Sequence, residues 1–221
     1  EAYLESFRHY SSLIQPGGAL LLHTGLEMQP DVQEGVRIYT YSRHEGDFHA
    51  ENIRIGNGEI YMDFIAPNTR ICNIQLGVPV SINIDNGIAA MALAHLSGAT
   101  DEEIKKGMAS FSGVDRRFDF KLKDNRHVLL SDYAHHPAEV AQSIRSIREL
   151  YQGRKITAIF QPHLYTRTRD FYQEFAESLS LADEVVLTEI YPAREEPIPG
   201  VDSQLIYQSL RPGMEKHLCP K

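Results

Sequence analysis

No run of uninterrupted apolar residues approaches the ~18 that a membrane-spanning helix needs, and the opening residues, EAYLESFRHY, are charged and helical in pattern, unlike a secretory leader. A soluble, cytoplasmic protein with no membrane partner is the simplest expectation. Cysteine is scarce: Cys72 and Cys219 stand far apart without metal-ligand spacing, which argues against a disulfide framework or a zinc centre. Basic residues are outnumbered, 22 Lys and Arg against 30 Asp and Glu, for a formal net charge of −8. That balance argues against the broad basic face of a nucleic-acid binder and leaves room for an anionic ligand held by a few placed arginines. Neither G-x-x-x-x-G-K-[ST] nor G-x-G-x-x-G occurs, so these residues hold no nucleotide-phosphate cradle of their own.

What is present suits a globular α/β protein. With 42% hydrophobic residues in 221, the chain can bury a sizeable core in one large or two ordinary domains. An amphipathic helix pattern opens it (Tyr3, Leu4, Phe7, Tyr10, Leu13, Ile14), and the Pro-Gly-Gly turn in IQPGGALLLHTG leads to a buried strand. GVRIYTYSR and FHAENIRIGNGEIYMDFIA alternate apolar and polar residues around Asn57-Gly58, which predicts an antiparallel hairpin element. A helix over Ile82–Leu96 follows, then a second capped by Thr100 with Glu103 three residues on. From about Arg116 the pattern repeats strand and helix: HVLLSD, PAEVAQSIRSIRELY, KITAIFQ, RDFYQEFAESLSLA, EVVLTEI, SQLIYQSL. This predicts a parallel sheet with right-handed crossovers, and divides the chain into a mixed α/β domain over 1–115 and a parallel-sheet domain over 116–221. A helix under way at the first residues and a strand-like stretch near MEKHLCPK suggest a piece of a longer polypeptide.

Ligands of such sheets sit beyond the carboxyl ends of the strands. Three polar loops fall there: SDYAHHP, FQPHLYTRTRD and EIYPAREEPIPGVDS. The first sets Asp132, Tyr133, His135 and His136 just before Pro137, a residue suited to a helix's first turn. A metal site, an acid/base or substrate site and a decorated helix cap all fit it, although adjacent histidines point apart and suit a single metal poorly. The second loop puts His163, Tyr165, Thr166, Arg167, Thr168 and Arg169 at a helix start, where the dipole and free amides favour anions and an arginine fork matches a carboxylate or phosphate. A solvated helix start is the bland alternative. Asn83 and Asn86, three apart at a helix amino end, could meet a base or sugar or simply cap the helix. Arg116 and Arg117 in VDRRFDF stand at the domain joint, placed for a ligand or for a structural pair.

Taken together, SDYAHHPAEV, FQPHLYTRTRDF, IYPAREEPIPGV, GVDRRFD and PVSINIDN resemble the Mur ligase family along essentially the whole chain. The resemblance implies part of a central ATPase domain lacking its phosphate loop, then most of a Rossmann-like, amino-acid-binding C-terminal domain. It implies ATP and Mg2+ as cofactors, with the phosphate loop and the main metal ligands outside these residues, so that the 221-residue chain alone would be inactive. The two loops after residue 130 are most similar to the branch that joins L-alanine to UDP-N-acetylmuramate through an acyl phosphate. A murein peptide-recycling ligase and a non-catalytic carboxylate- or nucleotide-binding module are the alternatives. Carried over by position, the resemblance implies that Asn83, Asn86, Arg117 and Asp132 contact the nucleotide. Tyr133, His163, Tyr165 and Arg167 would contact the substrate, with His135 and His163 at the reacting centre. Two positions depart from the family pattern: Ile82 replaces the usual histidine before Asn83, and Leu164 the usual arginine after His163.

Overall fold

The computed structural model describes residues 2–219, which fall into two compact units meeting between Ser112 and Gly113. In the first, α1 (Ala2–Ser12) precedes two short parallel strands, β1 (Ala19–His23) and β2 (Arg37–Tyr41). An antiparallel meander follows, of β3 (His49–Gly56), β4 (Glu59–Ala66) and β5 (Thr69–Gln75). Its first turn is the expected Asn57-Gly58 pair, both residues at positive φ (53° and 78°), the conformation a tight two-residue hairpin requires. β5 was not expected from the sequence. Helices α2 (Ile82–Leu96) and α3 (Asp101–Ser110) close the unit.

The core of this unit follows from spacing. α2 buries Ile84, Ile88, Met91 and Ala92 on one stripe, and the meander buries Met62, Phe64, Ile71 and Ile74, with Phe48 stacked on Phe64. Gly98 at φ 88° ends α2, and its neighbour Ala99 donates to Ala94 O at 3.0 Å, a glycine-terminated helix end. α3 begins with the expected capping box: Glu103 N–H donates to Thr100 Oγ1 at 3.3 Å while Thr100 N–H donates to Glu103 Oε2 at 2.8 Å. One charge lies inside this unit. Asp63, 6% exposed, accepts from Asn73 N–H, Asn52 Nδ2 and Arg70 Nη2 at 2.8, 2.8 and 2.9 Å. These donors, the Asn73 amide foremost, bring its carboxyl down to about 2.

The second unit runs β6 (Asp119–Lys123), β7 (Val128–Ser131), α4 (Pro137–Leu150), β8 (Thr157–Phe160), α5 (Tyr165–Leu179), β9 (Glu184–Leu187), α6 (Gln204–Ser209) and β10 (Glu215–Leu218). β8, β9 and β10 form a parallel sheet in the order β10-β9-β8. Val185 and Leu187 of β9 pack with Ile144, Phe175, Leu179 and Ile206 from the three helices. One expectation is corrected here. HVLLSD has the pattern of a first parallel strand, yet β7 pairs antiparallel with β6. The reason is local: Asp124 Oδ1 accepts the amides of Arg126 and His127 at 2.7 and 2.6 Å, closing a tight reversal that brings β6 beside β7. The α/β class and the parallel sheet at the carboxyl end stand.

Candidate functional site

In the first unit, the start of α2 is braced from two sides. Arg43 Nη2 donates both to Ser81 O and, at 3.1 Å, to Asp85 Oδ2, and His23 Nε2 lies 3.9 Å from Asp85 Oδ1. The asparagines do not cap the helix, whose N-cap is Ser81. Instead Asn83 Nδ2 donates to Val78 O at 3.2 Å, and Asn86 Nδ2 to Asn83 Oδ1 at 3.3 Å. The two carboxamides form a small linked pair at the helix start, beside Ile82, which is 54% exposed. A carboxamide offers one donor and one acceptor side by side, the edge pattern that adenine complements.

In the second unit, the loops after β7, β8 and β9 carry the other candidates. Pro137 occupies the first turn of α4, and Glu139 Oε2 accepts the amides of His135 and His136 at 2.9 and 3.1 Å. The two histidines part company as expected: the His135 ring lies 5.3 Å from that of Tyr133, the His136 ring 5.4 Å from that of Phe171. His135 Nδ1 sits 2.9 Å from Tyr133 O. A carbonyl only accepts, so Nδ1 carries a proton and the ring presents Nε2 on its other side. Asp132 is more occupied than its place in the loop suggested. Its carboxylate accepts from Phe118 N–H at 3.3 Å, Tyr133 N–H at 2.9 Å and the Ser143 hydroxyl, tying the start of β6 to α4. Arg117, next to Phe118, is exposed.

The second and third loops are zipped together. Tyr191 N–H donates to Pro162 O at 2.8 Å, and Leu164 N–H to Tyr191 O at 3.0 Å, so the His163 and Tyr191 rings stack at 5.5 Å. Leu164 holds φ 73°, a conformation a leucine rarely adopts, and as N-cap of α5 it has no side chain able to cap. The cap comes instead from Glu195, whose carboxylate accepts Thr166 N–H at 2.9 Å and the Thr166 hydroxyl. These hydrogen bonds hold Glu195 below the usual carboxylate range. Burial, then the charge of Arg167, then His135 keep the His163 imidazole below 6.5, with Glu195 acting the other way. Arg167 Nη1 is buried and has no hydrogen-bond partner among the described residues. Tyr165 lines a cavity of about 610 Å³ with Glu189, Ile190, Ser203 and Cys219. Tyr191 and Glu195 were not singled out from the sequence; the one available signal was their place in a loop at a strand's carboxyl end.

Among the described residues, Glu184, Glu215 and His217 form the group whose donor atoms lie close enough for a metal ion. Lys155 Nζ already stands 3.0 and 2.8 Å from the two carboxylates, and Glu184 and Glu215 begin their strands, at the end opposite the loops. The cluster is an ion-pair network and does not fit Mg2+. No described helix is long and apolar enough to cross a membrane.

The parallel sheet, with a histidine and an arginine whose Nη1 has no partner among the described residues in the loop at its carboxyl edge, defines a class before it defines a member. Residues 116–220 match the family described as Mur ligase, glutamate ligase domain. The chain belongs to the Mur ligase family. It is 71% identical over 221 residues to the UDP-N-acetylmuramate--L-alanine ligase of Phocaeicola vulgatus, covering 100% of this chain and 48% of that protein. The enzyme of the same name from Parabacteroides distasonis is 59% identical, again over 100% of this chain and 48% of its own length. The crystal structure of UDP-N-acetylmuramate-alanine ligase from Thermotoga maritima superposes with a TM-score of 0.67 at 28% identity, over 83% of this chain and 39% of that one. The chain thus spans about half the length of the curated relatives it matches.

Proposed function

We propose that these residues belong to a ligase of bacterial cell-wall synthesis that joins L-alanine to UDP-N-acetylmuramate in the cytoplasm, with the second unit as its amino-acid-binding domain. The observation that carries this reading is Arg167, whose Nη1 is shielded and has no hydrogen-bond partner among the described residues. An unpaired buried donor of a charged group is costly to leave so, and a substrate carboxylate arriving there gains a charge-assisted hydrogen bond. The relatives named for L-alanine supply the identity of that carboxylate.

Each group then has a task. Arg167 anchors the alanine carboxylate, while Tyr133 and Tyr165 bound the small side chain. The amine must shed a proton before it can attack an acyl centre. His163, whose imidazole burial and Arg167 push toward the neutral form, is suited to accept it, and His135 presents Nε2 on the side of its ring away from the Tyr133 carbonyl. ATP, when bound, supplies the phosphoryl group that activates the muramyl carboxylate. The linked Asn83 and Asn86 carboxamides suit adenine. Arg117 contacts the nucleotide in this reading, and Asp132 serves it by pinning the adjacent Phe118 amide rather than by direct contact. Mg2+ belongs to residues outside these 221, and no step here is assigned to it.

The test is L-alanine-dependent ADP release by the full-length protein with UDP-N-acetylmuramate. A tripeptide preferred over free alanine would reassign it as a recycling ligase, and ligand binding without ATP hydrolysis would make it a non-catalytic module.

A further inference from the structure

Going beyond the proposed binding of alanine by Arg167, and resting on it, we infer that Glu195 is a positioning residue for alanine recognition: from the loop after β9 it caps α5 at Thr166 and so fixes the adjoining Arg167. Three observations converge. First, α5 starts on Leu164, which offers no capping oxygen. Orphan amides at a helix start need an acceptor from elsewhere. Second, the acceptor is a carboxylate 29 residues away that takes both the amide and the hydroxyl of Thr166, so one side chain fastens two loops. Third, the same carboxylate lies near enough to Arg167 for the guanidinium to help hold it down, yet it makes no hydrogen bond to Arg167 Nη1, which has no partner among the described residues. Had Glu195 paired with Arg167, the guanidinium would be neutralised before substrate arrived. By binding Thr166 instead, it fills the anion-favouring helix start and directs the incoming carboxylate to the arginine.

The arrangement also accounts for Leu164, where the family pattern has arginine. Position 164 contributes no cation, which puts more weight on Arg167's orientation and hence on the latch.

The test is steady-state kinetics on the full-length protein with Glu195→Ala, Glu195→Gln and Thr166→Val, each alone and with Arg167→Ala. Glu195→Ala and Thr166→Val are expected to raise KM for L-alanine about tenfold, with kcat and KM for ATP changed little. Glu195→Gln, which keeps an acceptor oxygen at the same reach, should recover most of that loss. In the Arg167→Ala background, Glu195→Ala should add nothing further, because both act on one contact. An unchanged alanine KM in Glu195→Ala and Thr166→Val, a uniform fall in kcat with all three substrates alike, or additive losses with Arg167→Ala would overturn the inference. Arg167→Ala with an unaltered alanine KM would instead sink the reading of Arg167 itself, and is seen independently of any Glu195 variant.

Discussion

Each unit shields a polar atom of a charged side chain, and the two are treated in opposite ways. In the first, Asp63 lies inside the meander with three donors on its carboxylate. In the second, Arg167 Nη1 is shielded and unpartnered. A satisfied buried charge knits a fold, since every group it touches would be stranded by its loss. An unsatisfied one costs stability and persists where a ligand completes it. The same physical rule marks Asp63 as architecture and is the ground on which Arg167 is proposed to hold a ligand.

That contrast can be broken most forcefully at Arg167. Arg167→Ala is expected to lower kcat/KM for L-alanine in the full-length enzyme by about 2–4 kcal/mol of transition-state stabilisation, while leaving unfolding stability unchanged or slightly raised. Its pH profile should move as well. Burial and then Arg167 lower the His163 imidazole, and removing the neighbouring cation makes its protonation easier, so the acid limb it governs should shift upward. Next in size, Asp63→Ala should cost about 2–3 kcal/mol in urea unfolding with the alanine KM unaffected. The wild-type carboxyl is depressed from 3.8 to about 2, so its contribution, ~2 kcal/mol, is present above pH 3.8 and lost as pH falls toward 2. Smaller is Leu164→Arg, which restores a cation beside the site and should tighten alanine by about 1–2 kcal/mol, read as a lower KM. Smallest is Thr100→Ala, which removes the cap of α3 and should cost about 1 kcal/mol by thermal melting, with no kinetic effect.

Legibility in the sequence tracked the distance over which an interaction acts. The Asn57-Gly58 hairpin, α2 and the Thr100–Glu103 box were readable because turn chemistry, helical period and capping are decided within a few residues. β5 and β6 were not, and with β6 went the pairing of β7, since strand partnership is settled by a neighbour the local pattern does not name. The site divides along the same line. Arg167 and His163 stood out by residue type at a strand's carboxyl end. Glu195 did not, because its partner Thr166 is 29 residues off, nor did Asp132's attachment to Phe118 and Ser143. A carboxylate in a loop looks alike in sequence whether it meets a ligand or holds the chain to itself.

The left-handed turn at Leu164 bears on how the site behaves over time. A leucine held at φ 73° rests on its amide's bond to Tyr191 O, and such a backbone costs on the order of 1–3 kcal/mol. The reversal therefore acts as a loaded catch rather than a passive bend: releasing Tyr191 would let residue 164 relax and swing His163 and Arg167 apart together. Leu164→Gly would unload the catch, giving a loop that opens as easily as it closes. Amide hydrogen exchange at Leu164 would then quicken, even if the folded chain became no less stable.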